Sequence, residues 1–206
     1  MFGTDAKVVA IIGARAGSKR LPNKNKKELL GKPLICYTID QALECEFIDE
    51  IILTTDDKEI LEIVENKYNH YIQKIKLIER PSELAQDDTP SWKYIQHALK
   101  DYDQNTHVII LQPTSPLRTV EDIRMAYSVF QMGECKFGVV SAYWEYPMKE
   151  LKLNGAIYIN WLNSIVICRT FIFPATIFYL MPKERSVDID TIRDWRYAEN
   201  ILRNRK

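Results

Sequence analysis

The chain alternates short apolar runs with stretches of helical period, and this alternation constrains its fold more than any other feature. Val8 to Ile12 is apolar at every position and reads as a buried strand; Ile51 to Thr55, Lys74 to Ile78, Val108 to Leu111 and Phe137 to Ala142 read as further strands. Helices fall between them. Ile35, Ile39, Ala42 and Leu43 lie on one helical face, and Ile60, Leu61 and Val64 on another. Thr89 and Pro90 have the residue types of an N-cap and a first helical position, ahead of a face formed by Trp92, Ile95 and Leu99. Two T-x-x-D sequences follow. Thr119 with Asp122 starts a helix that ends near Gly133, and Thr191 with Asp194 starts a C-terminal helix with Ala198, Ile201 and Leu202 inward. Together these elements predict an α/β fold: a three-layer, mostly parallel, Rossmann-like sheet with helices on both faces. The length, 206 residues, suits a single domain. Ligands bind such sheets at the carboxyl ends of the strands, so the loops after Ile12, Ile78 and Leu111 are expected to converge on one cleft.

The first of those loops carries a concentration of charge. "IIGARAGSKRLPNKNKK", Ile11 to Lys27, sets two glycines, a serine and a run of lysines and arginines directly after the first strand. It is not a P-loop, because only three residues lie between Gly13 and Gly17, which are followed by Ser18-Lys19. It is not a dinucleotide fingerprint either, since G-x-G-x-x-G is absent. A solvated basic loop is the plain alternative. The functional reading rests on electrostatics. Arg15, Lys19 and Lys24 would repel one another on one loop unless an anion lies between them, and glycines let backbone N–H groups approach phosphate oxygens closely. Pro22 stiffens the loop, and Asn25 can both donate and accept. Across the whole chain, 28 basic residues balance 28 acidic ones. A surface for nucleic acid would be basic overall, so the cluster points to a small anionic ligand instead.

The four cysteines form no C-x-x-C pair, which supports reduced thiols and a cytoplasmic protein rather than a zinc or redox site. The apolar run at Val8 is too short for a signal peptide. Asn160, Asn163, Ser164, Arg169 and Pro174 interrupt the apolar stretch from Ala156 to Met181, so no spanning helix is expected there. His70, His97 and His107 lie outside every motif and are not expected to act as a base, and Trp92 and Trp161 read as core or interface.

"ARAGSKRLPNKN" resembles the signature of the acylneuraminate cytidylyltransferase family, whose members make CMP-sialic acid and related CMP-nonulosonates. Three further motifs follow in that family's order: "ERPSELAQDDT", "LQPTSPLR", and "NGAIYI" with "MPKERSVDIDTIRDW". They run from Ile11 to Trp195. The resemblance implies a nucleotidyltransferase-type fold and a magnesium-dependent enzyme. In that enzyme the anomeric hydroxyl of an acidic nine-carbon sugar attacks the α-phosphorus of CTP, and pyrophosphate leaves. Arg15, Lys19 and Lys24 would hold the phosphates, with Lys24 on the α-phosphate and Ala14, Gly17, Ser18 and Asn25 completing the cradle. Arg80 and Ser91 would lie on the cytosine side. Gln112, Thr114 and Ser115 would meet the sugar, while Arg118 would either face its carboxylate or support the loop from behind. Asp188 and Asp190 are two apart, so on an extended segment both carboxylates reach the same face; the resemblance makes them the magnesium ligands. Arg15, Lys24 and Asp190 are the catalytic candidates, and Asp194 is read as a helix cap. The proton acceptor stays open among a metal-bound hydroxide, a phosphate oxygen and water. CTP and the acidic sugar are the expected partners, in a homodimer that binds neither nucleic acid nor membrane.

One segment departs from the family. Only "YWEYPMKELKLN", Tyr143 to Asn154, separates the strand at Ala142 from "NGAIYI", where relatives carry a longer sugar-side and dimerisation insertion; Lys149 and Lys152 are its basic residues. "IVICRTFIF", Ile165 to Phe173, either covers a partner or fills the core under the missing insertion. Two other functions stay open at this level: a related transferase using another acidic sugar, such as Kdo, or another nucleotide; and a non-catalytic nucleotide-binding scaffold.

Overall fold

A computed structural model describes residues 6–132, 138–147 and 150–205. In chain order the elements are β1 (Val8–Ala14), β2 (Glu28–Leu29), β3 (Lys32–Pro33), α1 (Leu34–Leu43), β4 (Glu50–Thr55), α2 (Lys58–Lys67), β5 (Ile75–Glu79) and α3 (Ser91–Ala98). Then come β6 (His107–Leu111), α4 (Val120–Gln131), β7 (Val139–Glu145), β8 (Glu150–Trp161), α5 (Leu162–Cys168), β9 (Ile177–Leu180) and α6 (Ile192–Asn204). Seven strands form one sheet in the order β5-β4-β1-β6-β8-β7-β9. β5, β4, β1 and β6 pair in parallel, as does β7 with β9, whereas β8 runs antiparallel to both of its neighbours. The sheet is therefore mixed but mostly parallel, as the alternation predicts.

β1 shows why an unbroken apolar run becomes a central strand. Its side chains alternate between faces. Val8, Ala10 and Ile12 pack with Ile35 and Ile39 of α1, Ile60 of α2 and Ile123 of α4. Val9 and Ile11 pack on the opposite face with Ile95 of α3 and Ile165 of α5. A third cluster joins Leu21, Leu29, Leu117 and Ile189 to Trp195 and Ala198 of α6, with Ile201 and Leu202 against it, so the C-terminal helix seals the loops after β1 and β6. Both T-x-x-D sequences are complete capping boxes, on α4 and α6.

Some expectations are corrected or fall outside the described residues. Thr89 is not the N-cap of α3. Pro90 occupies that position, and the Thr89 hydroxyl instead donates to the Glu83 carbonyl. The expected ends at Gly133 and Phe137, and Cys135 and Lys149, lie outside the described residues. The short segment after Ala142 is a strand extension, with Tyr143 opposite Lys152 and Trp144 opposite Leu151. "IVICRTFIF" becomes the second half of α5 and the turn after it: Ile165 fills the core, while Ile167 is exposed. No helix among the described residues is long and apolar enough to cross a membrane. Trp161 and Trp92 both pack against core clusters, and His107 is buried beside the Tyr127 hydroxyl.

Candidate active site

The loop after β1 is braced before it meets any ligand. The Ala16 N–H donates to Asp56 Oδ1 (2.9 Å), and the Lys26 ammonium sits between Asp57 and Glu59, each 3.0 Å away. Asn25 Nδ2 donates to the Arg15 carbonyl (3.4 Å) across the base of the loop. The Asn25 Oδ1 is buried and has no hydrogen-bond partner, an acceptor left over at a polar site. Arg15, Ser18, Lys19, Lys24 and Asn25 line a cavity of about 570 Å³, which Arg80 after β5 and Ser91 of α3 close from the other side. Gly17 is exposed on the loop and Ala14 ends β1 in the core; neither lines this cavity.

Two protein carboxylates balance the loop's positive charge. Arg15 and Lys19 both pair with Asp87, whose carboxyl they hold below its usual range. Lys24 is buried and donates to the Ile189 carbonyl (2.5 Å) and to Asp190 Oδ1 (2.9 Å); Arg20 takes Asp190 Oδ2 (2.9 Å). The mutual repulsion of these cations is thus relieved within the chain, by Asp87 and Asp190. Arg80 is anchored by its Nη2 on the Thr54 carbonyl (2.7 Å) and lies over the Tyr94 ring at 4.1 Å. Burial lowers its pKa, with the nearby charge of Asp56 among the effects that oppose this. Gly13 makes that arrangement possible: a Cβ there would stand 2.8 Å from the Tyr94 ring and 3.0 Å from the Arg80 guanidinium.

A second cavity, of about 470 Å³, adjoins the first. Gln112 at the end of β6 lines both. The second is otherwise lined by Tyr143, Asn154, Tyr158, Lys183, Asp188 and Tyr197, among others. Thr114 lines the first cavity. Ser115 is fully buried and lines neither. Arg118 is no sugar ligand in this arrangement: it is 1% exposed, and its guanidinium donates to the Ala156 carbonyl (2.6 Å), Gln41 Oε1 (2.8 Å), Thr38 Oγ1 (3.1 Å) and the Gln112 carbonyl (3.4 Å). Four acceptors in the interior hold it behind the loop, so of its two readings the structure takes the supporting one.

The two aspartates of "SVDIDT" are separated by a buried residue. Ile189 turns into the third cluster, and its N–H donates to the Thr114 carbonyl (2.8 Å). Asp190 then lines the first cavity and Asp188 the second. Asp188 sits in a cleft where surrounding protein limits hydration, which raises its carboxyl above the usual range; the Asp190 charge adds to this, and the Thr114 hydroxyl and Lys24 oppose it. Asp194 is a cap, accepting at Oδ2 from the Thr191 N–H and hydroxyl, each at 2.8 Å.

Sequence reasoning missed Asp87, Arg20, Tyr94, Asn154, Lys183 and Tyr197. Asp87 and Asn154 stand inside segments the motifs already cover, Asp87 in the turns before α3 and Asn154 within β8. Asn154 is buried, accepting from the Ser141 hydroxyl (2.5 Å) and donating to the Ser186 hydroxyl (2.9 Å), so it ties β7 and β8 to the aspartate segment. Nothing local distinguishes Tyr94, Lys183 or Tyr197 from other residues of their kind.

Comparison with known proteins places the chain in a family. The family model described as cytidylyltransferase matches residues 9–156. The chain is 33% identical to the N-acylneuraminate cytidylyltransferase of Escherichia coli O18:K1:H7, over 95% of the chain and 52% of that protein, and so spans about half its length. Against the pseudaminic acid cytidylyltransferase of Campylobacter jejuni it is 30% identical, covering 96% of the chain and 97% of the relative. With the CMP-N,N'-diacetyllegionaminic acid synthase of Legionella pneumophila it shares 31% identity over 95% and 96%. Among solved structures, a CMP:2-keto-3-deoxy-manno-octonic acid synthetase complexed with CTP superposes with a TM-score of 0.72 at 16% identity, covering 98% of this chain and 100% of that one. A cytidylyltransferase from Leptospira borgpetersenii gives 0.69 at 18%, over 97% and 87%. The structural matches share the fold, and the sequence matches carry the lineage: the chain is a nucleotidyltransferase and belongs to the cytidylyltransferase family, among its acylneuraminate-type members.

Proposed function

We propose that this chain transfers CMP from CTP to the anomeric hydroxyl of an acidic nonulosonic sugar, with release of pyrophosphate. One observation carries the reading: two cavities meet at Gln112, and a single short segment contributes Asp190 to the cationic one and Asp188 to the other. CTP takes the first cavity. Its base end lies toward Arg80, Tyr94 and Ser91, and its phosphates displace Asp87 from Arg15 and Lys19. Lys24 contacts the α-phosphate, where a buried ammonium held in advance by the Ile189 carbonyl stabilises charge that builds as pyrophosphate leaves. The sugar takes the second cavity, with its hydroxyls near Gln112, Asn154 and Tyr158, and the anomeric oxygen approaches phosphorus across Gln112.

Asp188 and Asp190 fit a magnesium ion. Two carboxylates two residues apart, one of them raised in part by the other's charge, would make an incomplete ligand set that phosphate oxygens complete once Asp190 is released from Lys24 and Arg20, and among the described residues no third His, Cys, Asp or Glu joins them. When bound, the ion neutralises phosphate charge and favours departure of pyrophosphate.

The test is pyrophosphate release from CTP with and without magnesium, against N-acetylneuraminic, N,N'-diacetyllegionaminic and pseudaminic acids and Kdo. Turnover with at least one nonulosonic acid is expected. Binding of CTP without turnover on any sugar would return the chain to a scaffold role. Turnover with GTP or UTP but not CTP would overturn the base assignment.

A further inference from the structure

An acidic sugar needs a cation, and the cavity assigned to it also contains Asp188, a carboxylate that repels it. Arg118 is occupied in the interior. Lys24 and Arg20 are engaged with Asp190 in the other cavity. Among the described residues lining the second cavity, Lys183 is the one cation. It follows Met181-Pro182 at the start of a short 3-10 turn, Lys183–Arg185, that leads into the aspartate segment.

What surrounds Lys183 already binds a carboxylate. Its ammonium pairs with Oε1 of Glu145, the last residue of β7. The Tyr143 hydroxyl donates to Oε2 of the same carboxylate at 3.0 Å, and the Lys152 ammonium stands 3.8 Å from it. These cationic and hydroxyl donors hold the Glu145 carboxyl below its usual range. An ammonium has three donors, and Glu145 takes one; the Lys183 side chain is 57% exposed and lines the cavity. Tyr143 lines the same cavity.

We propose that Lys183 receives the carboxylate of the acidic sugar, in a subsite poised by Glu145, whose other carboxylate oxygen is held by the Tyr143 hydroxyl. Glu145 holds the ammonium over the cavity mouth and competes with the incoming carboxylate for it. The subsite lies on the C-terminal segment and the stem of the short hairpin, so it needs no long insertion between β7 and β8. This assignment rests on the proposed acidic substrate.

The experiment compares the wild-type chain with Lys183→Gln, Lys183→Arg, Glu145→Gln and Lys149→Gln. The probes are N-acetylneuraminic, N,N'-diacetyllegionaminic and pseudaminic acids and their methyl esters, which keep the reacting hydroxyl and lose the charge. Wild type is expected to prefer acid over ester by about tenfold or more in kcat/KM, the scale of one charge-assisted hydrogen bond. Lys183→Gln abolishes that preference by raising KM for the acid, leaving KM for CTP unchanged; Lys183→Arg restores most of it. Glu145→Gln lowers KM for the acid and leaves the ester unaffected. A Lys183→Gln enzyme that still prefers the acid overturns the assignment, and so does loss of the preference in Lys149→Gln instead. Should wild type release no pyrophosphate with any of these acids, the functional reading itself falls; wild-type turnover with an unchanged Lys183→Gln preference removes only the subsite.

Discussion

The two cavities differ in how their chemistry is distributed along the chain. The cationic one draws six side chains from the eleven residues Arg15 to Asn25, one continuous loop after a buried strand. The adjoining one draws on the end of β6, both strands of the β7–β8 hairpin, the 3-10 turn at Lys183 and α6. A polyphosphate presents many equivalent oxygens to a cationic loop, so a local sequence can specify its site. A sugar presents stereochemically distinct hydroxyls and one carboxylate, and only a surface assembled from several elements discriminates among them.

The sharpest way to break this contrast is at Lys24. Lys24→Ala is expected to lower kcat for pyrophosphate release by about a hundredfold or more, the usual loss for one preorganised stabiliser of developing charge. KM for the sugar should hardly move. Normal turnover would take Lys24 off the α-phosphate and weaken the division between cavities.

An intermediate effect is expected at Asp122. Its side chain is buried at the start of α4 and accepts from Arg185 Nε and Nη2, both at 2.8 Å, and from the Thr119 N–H at 2.9 Å. Burial alone would raise this carboxyl, but the Arg185 and Thr119 bonds outweigh it and hold it below the usual range. A depressed folded-state pKa means stability that is present above the ordinary aspartate value of about 3.9 and is lost as pH falls through the folded value. Asp122→Asn should therefore cost about 2 kcal/mol at pH 7, because Arg185 is partly exposed and can rehydrate. In thermal unfolding that is a drop of roughly 4–8 °C. Repeated between pH 7 and pH 3, the gap from wild type should narrow below about pH 4. Arg185 leads directly into Ser186 and Asp188, so the variant should also raise KM for the sugar more than KM for CTP. Equal changes in both would mean that the aspartate segment moves as one wall.

The smallest effect is expected at Asp87, which is exposed and pairs with Arg15 and Lys19, the cations proposed to receive the CTP phosphates. Asp87→Asn should lower KM for CTP by about two- to threefold, the scale of a screened surface pair. A rise instead would show that Asp87 organises the loop rather than opposing the nucleotide.

Much of the fold was legible because its causes are local. The run at Val8 has no polar position to face water, and the two T-x-x-D caps satisfy helix N–H groups with side chains three residues away. Thr89-Pro90 shows where a local rule fails. Either residue has a type suited to opening a helix, and the hydroxyl found the Glu83 carbonyl instead. The reversal of β8 was not legible, since parallel and antiparallel pairing depend on connections rather than on the composition of a strand.

By itself the sequence determined the order of the strands β1, β4, β5, β6 and β7 and of the helices α1 to α4 and α6, the cationic loop after β1 and the spacing of Asp188 and Asp190. Each follows from periodicity or charge within a few residues, where chain connectivity keeps the groups together. Only the tertiary structure decided that Arg118 braces a loop from the interior, that Tyr94 lies under Arg80, and that Lys183 shares a cavity with Tyr143 and Gln112. Those outcomes depend on which distant segments pack together and on which acceptors reach a given cation first, and neither is recorded in the residues on either side of it.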